Sequence, residues 1–294
     1  MSSLKRTITF DEPSHTYKDE YGIKYTSVTT LIGNYEEKFN EDYWAEKKAK
    51  ELGLTKQQVL QNWKEIRDFA NAKGTKTHNL LEDSINEATG KADIDIPSFK
   101  TYYAKLNITP DCKVDIKLLA ETPLAIKYPD IFLLLLEHVE NGWTIYAEKR
   151  VYWADYQVAG TIDCLLIKGK QFKIVDWKTN KDELKFKAGY YKKIDGVKSD
   201  IWVDKDERML APISNIQKCK GNGYTLQLSL YATLLELWGL QYIGLILYHI
   251  RDKDKPKAYN ISYWQSDCQK LLIHHKNGLT QSKNITGSMT FGIS

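Results

Sequence analysis

The protein has 294 residues, of which 42% are hydrophobic and 12% aromatic, so the chain is long enough to build a substantial core. Its longest apolar run, 131–136, is far shorter than the roughly 20 residues needed to cross a bilayer, and the opening MSSLKRTITF contains no apolar signal segment. The net charge of +4 is too small to indicate a nucleic-acid partner by itself. These features argue against a membrane-spanning protein, and we expect no membrane partner.

The cysteines do not form a recognisable framework. Four of them lie far apart in the sequence, and none belongs to a CxxC pair; they are Cys112, Cys164, Cys219 and Cys268. This spacing favours neither a disulfide network nor a zinc or iron–sulfur site. Since there is no signal segment either, we expect the protein to lie inside a cell.

The chain begins with short strands. KRTITF and HTYKDEYGIKYTSV are typical of strands, and the second segment turns at DEYG, where Gly22 can take a positive φ. SVTTLI then begins helical structure.

From Glu41 to about Gly90 the pattern predicts helices. Apolar side chains and one histidine recur at spacings typical of a helix face; they are Val59, Trp63, Ile66, Ala70, His78, Leu81 and Ile85. Gly74 interrupts this pattern, which predicts a break between two helices.

The middle of the chain changes from helix to strand. Residues 91–127 have no clear pattern, but PDIFLLLLEHVENG, after Pro129, predicts a buried helix that ends at Gly142. Strands are then predicted at about 143–153, 160–168 and 171–178, and the KGK turn joins the last two.

The C-terminal part contains a second helix and strand. Residues 180–223 are left unassigned, although the part around GVKSDIWVDKDERMLAPISN is interpreted as a hairpin insertion. GYTLQLSLYATLLELWG predicts a helix and YIGLILYHI an apolar strand. The order of elements predicts an α/β or α+β fold in a single domain, 1–294, with an N-terminal hairpin and helical part, 1–90, and a core of sheet and helix, 143–264.

Two aspartates stand out in the predicted hairpin. If the strands pair around the KGK turn, Asp163 and Asp176 lie toward the open ends of adjacent strands, where their carboxylates converge. Like charges held close raise one another's pKa, and an oxygen-rich site of this kind suits Mg²⁺ or Mn²⁺. The pair therefore suggests a metal site.

A lysine accompanies the second aspartate. Because side chains alternate along a strand, Asp176 and Lys178 point to one face and Trp177 to the other. An ammonium beside a metal can orient a water nucleophile or offset charge that develops on a phosphorane. A DxK triplet alone is more often a salt bridge at a strand end, so this hypothesis needs further support.

Four short motifs give that support. They occur in the order GTKTHNLLE (74–82), GTID (160–163), DWKT (176–179) and QLSLY (227–231). As an ordered set they resemble the motifs of RecB-like nucleases in the PD-(D/E)XK superfamily, a group that includes many phage exonucleases. The resemblance implies a restriction-endonuclease-like core, with a central mixed sheet flanked by helices and an N-terminal helical extension. It matches the branch without an iron–sulfur cluster, because the cysteine cluster of the other branch is missing.

The resemblance also implies roles for individual residues. The residues that it assigns to catalysis are Asp163, Asp176, Lys178, Gln227 and Tyr231. The groups that it assigns to the Mg²⁺ or Mn²⁺ ion are His78, Asp163, Asp176 and the backbone carbonyl of Trp177. Among the catalytic residues, Lys178 is the catalytic lysine, while Gln227 and Tyr231 belong to a helix that flanks the site.

Each assignment has an ordinary alternative. His78 taken singly is more often a partly buried residue of an amphipathic helix. Gln227 and Tyr231 share one helix face and can be core residues with polar tips, although a buried amide needs a partner such as a metal-site carboxylate or a DNA phosphate. Glu148 resembles an additional acidic residue of the superfamily, and it either supports a metal or pairs with a basic neighbour. Glu82 either orients His78 or is a solvated helix residue.

The segment KTNKDELKFKAGYYKK, 178–193, interleaves lysines with aromatic residues. Ammonium groups suit the phosphates of a single nucleic-acid strand, and aromatic rings suit its bases. A solvated lysine face is the alternative, but the neighbouring DWKT motif favours nucleic acid. The residues that we predict to bind it are Lys181, Lys185, Lys187, Tyr190 and Tyr191.

We therefore predict a metal-dependent DNA exonuclease that acts in DNA replication, recombination or repair. We expect it to prefer single-stranded DNA ends, because the helices that carry His78 would cover one side of the hairpin and leave a passage for one strand. A structure-selective endonuclease on the same core and a catalytically inactive nucleic-acid-binding or assembly subunit are the alternatives. We expect a cytoplasmic protein, bacterial or in a host cell if phage-encoded, and the sequence leaves its oligomeric state open.

Overall fold

The computed structural model describes residues 8–11, 14, 16–89, 114–251 and 254–289. The strands are β1 (Ile8–Asp11), β2 (Thr16–Asp19), β3 (Lys24–Ser27), β4 (Thr144–Trp153), β5 (Val158–Lys168), β6 (Gln171–Lys178), β7 (Gly189–Ile194), β8 (Val197–Asp204), β9 (Gln241–His249) and β10 (Lys257–Ile261). The helices are α1 (Val28–Gly33), α2 (Glu41–Leu52), α3 (Lys56–Ala88), α4 (Ile116–Glu121), α5 (Pro123–Lys127), α6 (Pro129–Glu140), α7 (Lys220–Leu237) and α8 (Gln265–Met289).

A mixed sheet of eight strands forms the centre of the fold, in the order β1-β2-β3-β5-β6-β9-β10, with β4 paired to β5. Along one edge, β5 pairs with β4 from Val158 to Ile167. Along its other edge, β5 pairs in parallel with the end of β3 and, from Cys164 onward, antiparallel with β6. No described strand pairs with 160–163 on that edge, so the sheet opens between β5 and β6. We call this place the sheet opening.

Two hydrophobic clusters lie on opposite faces of the sheet. Because side chains alternate along a strand, Leu165 and Ile174 face the cluster that contains α7, whereas Leu166 and Trp177 face the cluster that contains α3 and α6. Helix α7 is buried on every side from 225 to 235, since it lies between the sheet, α1 and α8. The fold is therefore a mixed α/β arrangement with a central sheet flanked by helices, as predicted.

Most predicted elements are confirmed. The three strands before residue 180, the apolar strand β9 and helix α7 occur where the patterns place them, and the insertion forms the hairpin β7–β8. Helix α6 also ends before Gly142, which has a φ of 78°. It is buried on one side only, however, because Leu133 is 56% exposed.

The predicted helix break at Gly74 is wrong, since α3 runs through this residue. The chain breaks instead at Gly53, whose φ of 66° ends α2, and a capping box of Thr55 and Gln58 then starts α3. Gly74 permits a close approach: a Cβ at this position would lie 3.2 Å from Thr179 Oγ1. Helix α3 therefore passes close to the end of β6.

The apolar stripe of α3 is buried only in its C-terminal half. Leu81 and Ile85 are buried, but Ile66 is 68% exposed and Ala70 is also exposed. Among the described elements, α2 alone packs closely on the N-terminal half of α3, around Val59. Periodicity correctly predicted the helix, and the structure shows that the N-terminal half of its apolar stripe does not face the core.

Part of the chain that the sequence leaves unassigned lies outside the described residues, including 91–113 and with it Cys112. The remainder of that segment forms α4 and α5. Across the ranges that the structure describes, no helix has the length and apolar character of a membrane span.

Candidate active site

The sheet opening places Asp163 where a ladder hydrogen bond would otherwise lie. Beyond the pair Cys164–Val175, the strands separate, and Asp163 Oδ2 accepts a hydrogen bond of 2.8 Å from the backbone N–H of Trp177. The N–H and C=O of one strand residue point to the same edge, so the Trp177 carbonyl also faces the opening. The Lys178 carbonyl faces the other edge, where it accepts from the N–H of Ile250 at 2.7 Å.

Asp176 and Lys178 form a buried ion pair beside the opening. Asp176 is 1% exposed, and its Oδ2 lies 2.7 Å from Lys178 Nζ. Burial raises the pKa of Asp176, the Lys178 ammonium opposes this shift, and the Asp163 carboxylate adds to it. Burial lowers the pKa of Lys178, but the two carboxylates more than offset it, so the pKa lies above its usual value and the side chain is a cation at neutral pH. The predicted orientation of Asp176 and Lys178 to one face is confirmed.

His78 and Glu148 complete the cluster. His78 Nδ1 lies 3.6 Å from Asp163 Oδ2, and the potential ligand atoms of His78, Glu148 and Asp163 lie within 4.8 Å of one another. Helix α3 packs on one face of the sheet and α7 on the other, so the opening is the place where both layers can supply side chains. Glu148 therefore belongs to the cluster, which favours the metal-supporting alternative over a surface ion pair.

Glu148 has a strained backbone. The pairs on either side, Ala147–Cys164 and Lys149–Ile162, keep one register, so Glu148 stands opposite Asp163, but its φ is 45°. A non-glycine residue in the left-handed region within a strand is unusual and costs stability, and such strain clusters at functional sites. The strain thus lies at the residue that meets Asp163.

Four carboxylates converge on this part of the molecule. Burial raises the pKa of Glu148 to about 9, and the negative charges of Asp163, Glu82 and Asp176 contribute to the rise. Glu82 is partly buried one turn beyond His78. Only Lys178 lowers the pKa of Glu148 among the named causes. The cluster has an excess of negative charge.

The helix motif of α7 covers the opening from the other face. Tyr231 is 4% exposed, and its ring lies against Gly160, where a Cβ would come within 2.5 Å of Tyr231 Cε1. Gln227 Nε2 donates to Tyr231 Oη at 3.1 Å. The buried amide is therefore satisfied by a tyrosine hydroxyl and not by a carboxylate. Gly160 is needed because the tyrosine ring occupies the space of a side chain.

A second group of residues, which the sequence did not single out, holds the end of β6. Tyr224 Oη donates to Asn180 Oδ1 at 2.7 Å, and His249 Nε2 donates to the Asn180 carbonyl at 2.8 Å. Lys178 Nζ lies over the Tyr224 ring, 4.8 Å from its centre. Tyr224 lies three positions before Gln227 on α7, and this helical spacing is the signal that could have found it.

The predicted nucleic-acid residues lie outside this cluster. Lys181, Lys185 and Lys187 are exposed in the loop after β6, and Tyr190 and Tyr191 lie on β7, in a two-stranded sheet of its own. Lys185 Nζ lies 5.7 Å from the centre of the Tyr191 ring, and Lys198 lies nearer, at 4.3 Å. Lysines and rings do occur together here, as the interleaving predicts, but the rings are already covered by cations.

No family model matches the chain, and no curated protein is similar to it. Among solved structures, the crystal structure of SSO0001 is similar over 70% of this chain and 87% of that chain, with 16% identity and a TM-score of 0.26. Similarity at this level carries no argument about function.

The residues of the cluster fit a divalent cation. Asp176 Oδ1 is buried, and no described residue donates a hydrogen bond to it. A buried carboxylate oxygen without a donor is costly, and excess negative charge within a few ångströms makes it more so. Carboxylate oxygens with one imidazole nitrogen are a donor set that suits Mg²⁺ or Mn²⁺. His78, Glu148 and Asp163 would hold such an ion, with Asp176 and the Trp177 carbonyl beside them.

Proposed function

We propose that the protein is a metal-dependent deoxyribonuclease with a PD-(D/E)XK core of the RecB-like kind. The observation that carries the proposal is the convergence of Asp163, Asp176 and Lys178 at the sheet opening, together with His78 and Glu148. A structural ion pair alone does not account for a carboxylate excess around a buried oxygen to which no described residue donates a hydrogen bond.

The proposed reaction is hydrolysis of a phosphodiester, in which water attacks phosphorus and a 5′-phosphate and a 3′-hydroxyl result. A bound Mg²⁺ or Mn²⁺ supplies Lewis-acid stabilisation of the phosphate and a more acidic water. Lys178 supplies a fixed positive charge at the same place, and its ammonium is held by Asp176 at 2.7 Å and by the face of the Tyr224 ring. Asp163 is held in turn by the Trp177 N–H.

Exonuclease action on single-stranded ends is the form of this activity that we favour. Helix α3 brings His78 to one side of the opening, while α7 brings Tyr231 and Gln227 to the other, so the carboxylates lie between two helices. A duplex is stiff and wide, whereas one strand can pass between such walls. This supports a substrate that enters by a free end.

The test uses end-labelled single-stranded DNA of one sequence in linear and covalently closed circular form, with Mg²⁺, Mn²⁺ or EDTA. We expect linear DNA to be degraded only with a divalent cation, and closed circles to resist. Rapid cutting of circles would mean an endonuclease with an open cleft. Undiminished cleavage in EDTA, or no cleavage under any of these conditions, would contradict the proposed chemistry.

A further inference from the structure

A groove of about 760 Å³ lies beside the candidate active site. Its walls are the middle of α3, the junction of α5 and α6, and the segment that follows β9. We call it the α3 groove. The residues of the α3 groove that matter below are Phe69, Lys76, Ile126, Lys127, Arg251 and Lys255.

The lining of the α3 groove adjoins the site along α3 and contacts the end of β6. On α3 its lining ends at Thr77, which directly precedes His78. On the sheet side its lining includes Ile250, whose N–H donates to the carbonyl of Lys178 at 2.7 Å. A polymer that extends from the carboxylate cluster past His78 along α3 therefore meets the groove at Thr77.

The charge of the groove is opposite to that of the cluster. Among the described residues that line it, five are basic and two are acidic, and one of these acids, Asp254, is paired with Arg251 at 2.8 Å. Lys127 and Lys255 are exposed, and neither forms an ion pair with a described residue. The carboxylate cluster by itself repels phosphates, whereas a cationic surface next to it attracts them.

Two large apolar side chains lie among these cations and are mostly exposed to water. Phe69 is 76% exposed and Ile126 is 78% exposed, and both line the groove. An exposed aromatic ring offers a stacking surface to any base, and lysines around it track the backbone, which is the combination that binds single strands without sequence preference. An acidic peptide would match the charge but would leave the ring without a flat partner.

We infer that the α3 groove binds the stretch of a single nucleic-acid strand next to the phosphate held at the carboxylate cluster. This inference rests on the proposed nuclease function and adds a strand-binding surface other than the predicted lysine and tyrosine residues of the β7 region. It also gives a use to the part of α3 whose apolar stripe does not face the core.

The experiment measures binding of a fluorescein-labelled oligothymidylate to the full chain by fluorescence anisotropy, in Mg²⁺ and in the Asp163→Asn background, so that the strand is not cut. The test variant is Lys127→Ala/Lys255→Ala, and the matched control is Lys168→Ala/Lys170→Ala, two exposed lysines at the far turn of the β5–β6 hairpin. A third variant, Phe69→Ala, removes the stacking surface.

We expect the test variant to bind more weakly and to reduce the slope of log K against log salt by about 1.4, since each phosphate contact on a single strand contributes roughly 0.7. Phe69→Ala should weaken binding about fivefold or more with the slope unchanged. The lysine control should match the background. Equal binding by all variants, or no binding of the strand at all, would overturn the inference, and the second result would leave an acidic protein as the partner.

Cleavage by the groove variants, measured with Asp163 intact, separates this inference from the proposed function. If both hold, Lys127→Ala/Lys255→Ala raises KM and leaves kcat unchanged. If the chain binds strands through the groove but never cleaves them, the groove stands and the nuclease proposal fails. If the chain cleaves normally and the groove variants change neither binding nor KM, the nuclease proposal stands and the groove inference fails.

Discussion

The two ends of the β5–β6 hairpin are built from the same two strands and differ in almost every other respect. From the pair Cys164–Val175 to the turn, the register is unbroken and the apolar side chains are fully buried. At the other end the strands separate, and Asp163 and Asp176 occupy the positions next to the last pair. One end thus resembles an ordinary core, while the other holds charged groups.

The difference shows where a fold can tolerate a buried carboxylate cluster. At the opening, the backbone N–H of Trp177 has lost its strand partner and is satisfied by Asp163 instead. Asp176 is held by Lys178 at the cost of desolvating both charges. The apolar end buries its side chains without such a cost, and its favourable free energy of burial offsets the desolvation cost at the charged end. Four predictions test this contrast, beginning with the largest expected effect.

Asp163→Asn should lower cleavage by about a thousandfold or more, because it removes one negative charge from the proposed metal site, whose Lewis-acid effect is worth several kcal/mol. The fold should persist, since the amide oxygen can still accept the Trp177 N–H. Lys168→Ala, at the turn end of the same strand, is the control and should keep full activity. Cleavage rates on end-labelled DNA measure the effect, and circular dichroism checks the fold. An active Asp163→Asn protein would show that the charged end of the hairpin is only structural.

Asp176 and Lys178 should be coupled in their effect on the free energy of unfolding. In catalysis, by contrast, we expect Lys178 to have a role of its own. Asp176→Asn or Lys178→Met alone leaves one buried charge without its partner and should cost about 3–5 kcal/mol of unfolding free energy. The double variant should regain most of this loss. Lys178→Met should lower kcat by about 100-fold and retain Mn²⁺ binding, because an ammonium is not a ligand.

Urea unfolding and calorimetric Mn²⁺ titration measure these effects. Additive losses of stability in the double variant would mean that the two charges do not compensate each other. A Lys178→Met protein that lost Mn²⁺ affinity but kept its kcat would show that the role given to this lysine is wrong.

The sequence predicts the hairpin, and with it three site residues, because the information is local. Strand alternation and the KGK turn are sufficient to place Asp163, Asp176 and Lys178 near one another. His78 comes from a distant helix, and no periodicity relates it to the hairpin. Only the resemblance to a nuclease family suggested that it would join them.

The remaining features depend on tertiary packing that a local pattern does not encode. The closeness of Glu82 to Glu148 arises only when α3 meets the sheet, and the strained φ of Glu148 lies within a strand pattern that looks regular in sequence. Gly74 looks like a helix break in sequence and is a point of close approach in the structure. The apolar residues around Ile66 recur with a helical period, but the period does not show whether this helix face contacts the core, solvent or a ligand.

Gly160→Ala should disturb the opening without touching any charge. The added methyl would meet the Tyr231 ring at 2.5 Å, and overpacking of this kind costs roughly 1–3 kcal/mol. Gly244→Ala is the matched control on β9, where the nearest atom to a new Cβ is 3.9 Å away. Tyr231→Leu in the Gly160→Ala background should restore stability, measured by thermal unfolding. Equal losses of stability in Gly160→Ala and Gly244→Ala would mean that the Tyr231 ring is not the reason why the GTID motif requires a glycine.

Tyr224 offers the smallest and most specific test, because it contacts Lys178 and the end of β6 and none of the carboxylates. Tyr224→Leu removes the ring beneath the ammonium and should lower kcat by about tenfold, within the range of a desolvated cation–π contact. Tyr224→Phe keeps the ring and loses only the hydrogen bond to Asn180, so we expect a loss of about threefold. Both changes should leave KM unaltered, since a positioning residue does not bind the substrate. A raised KM with normal kcat would instead show that Tyr224 contacts the substrate. Lys178 would then be positioned by the carboxylates alone.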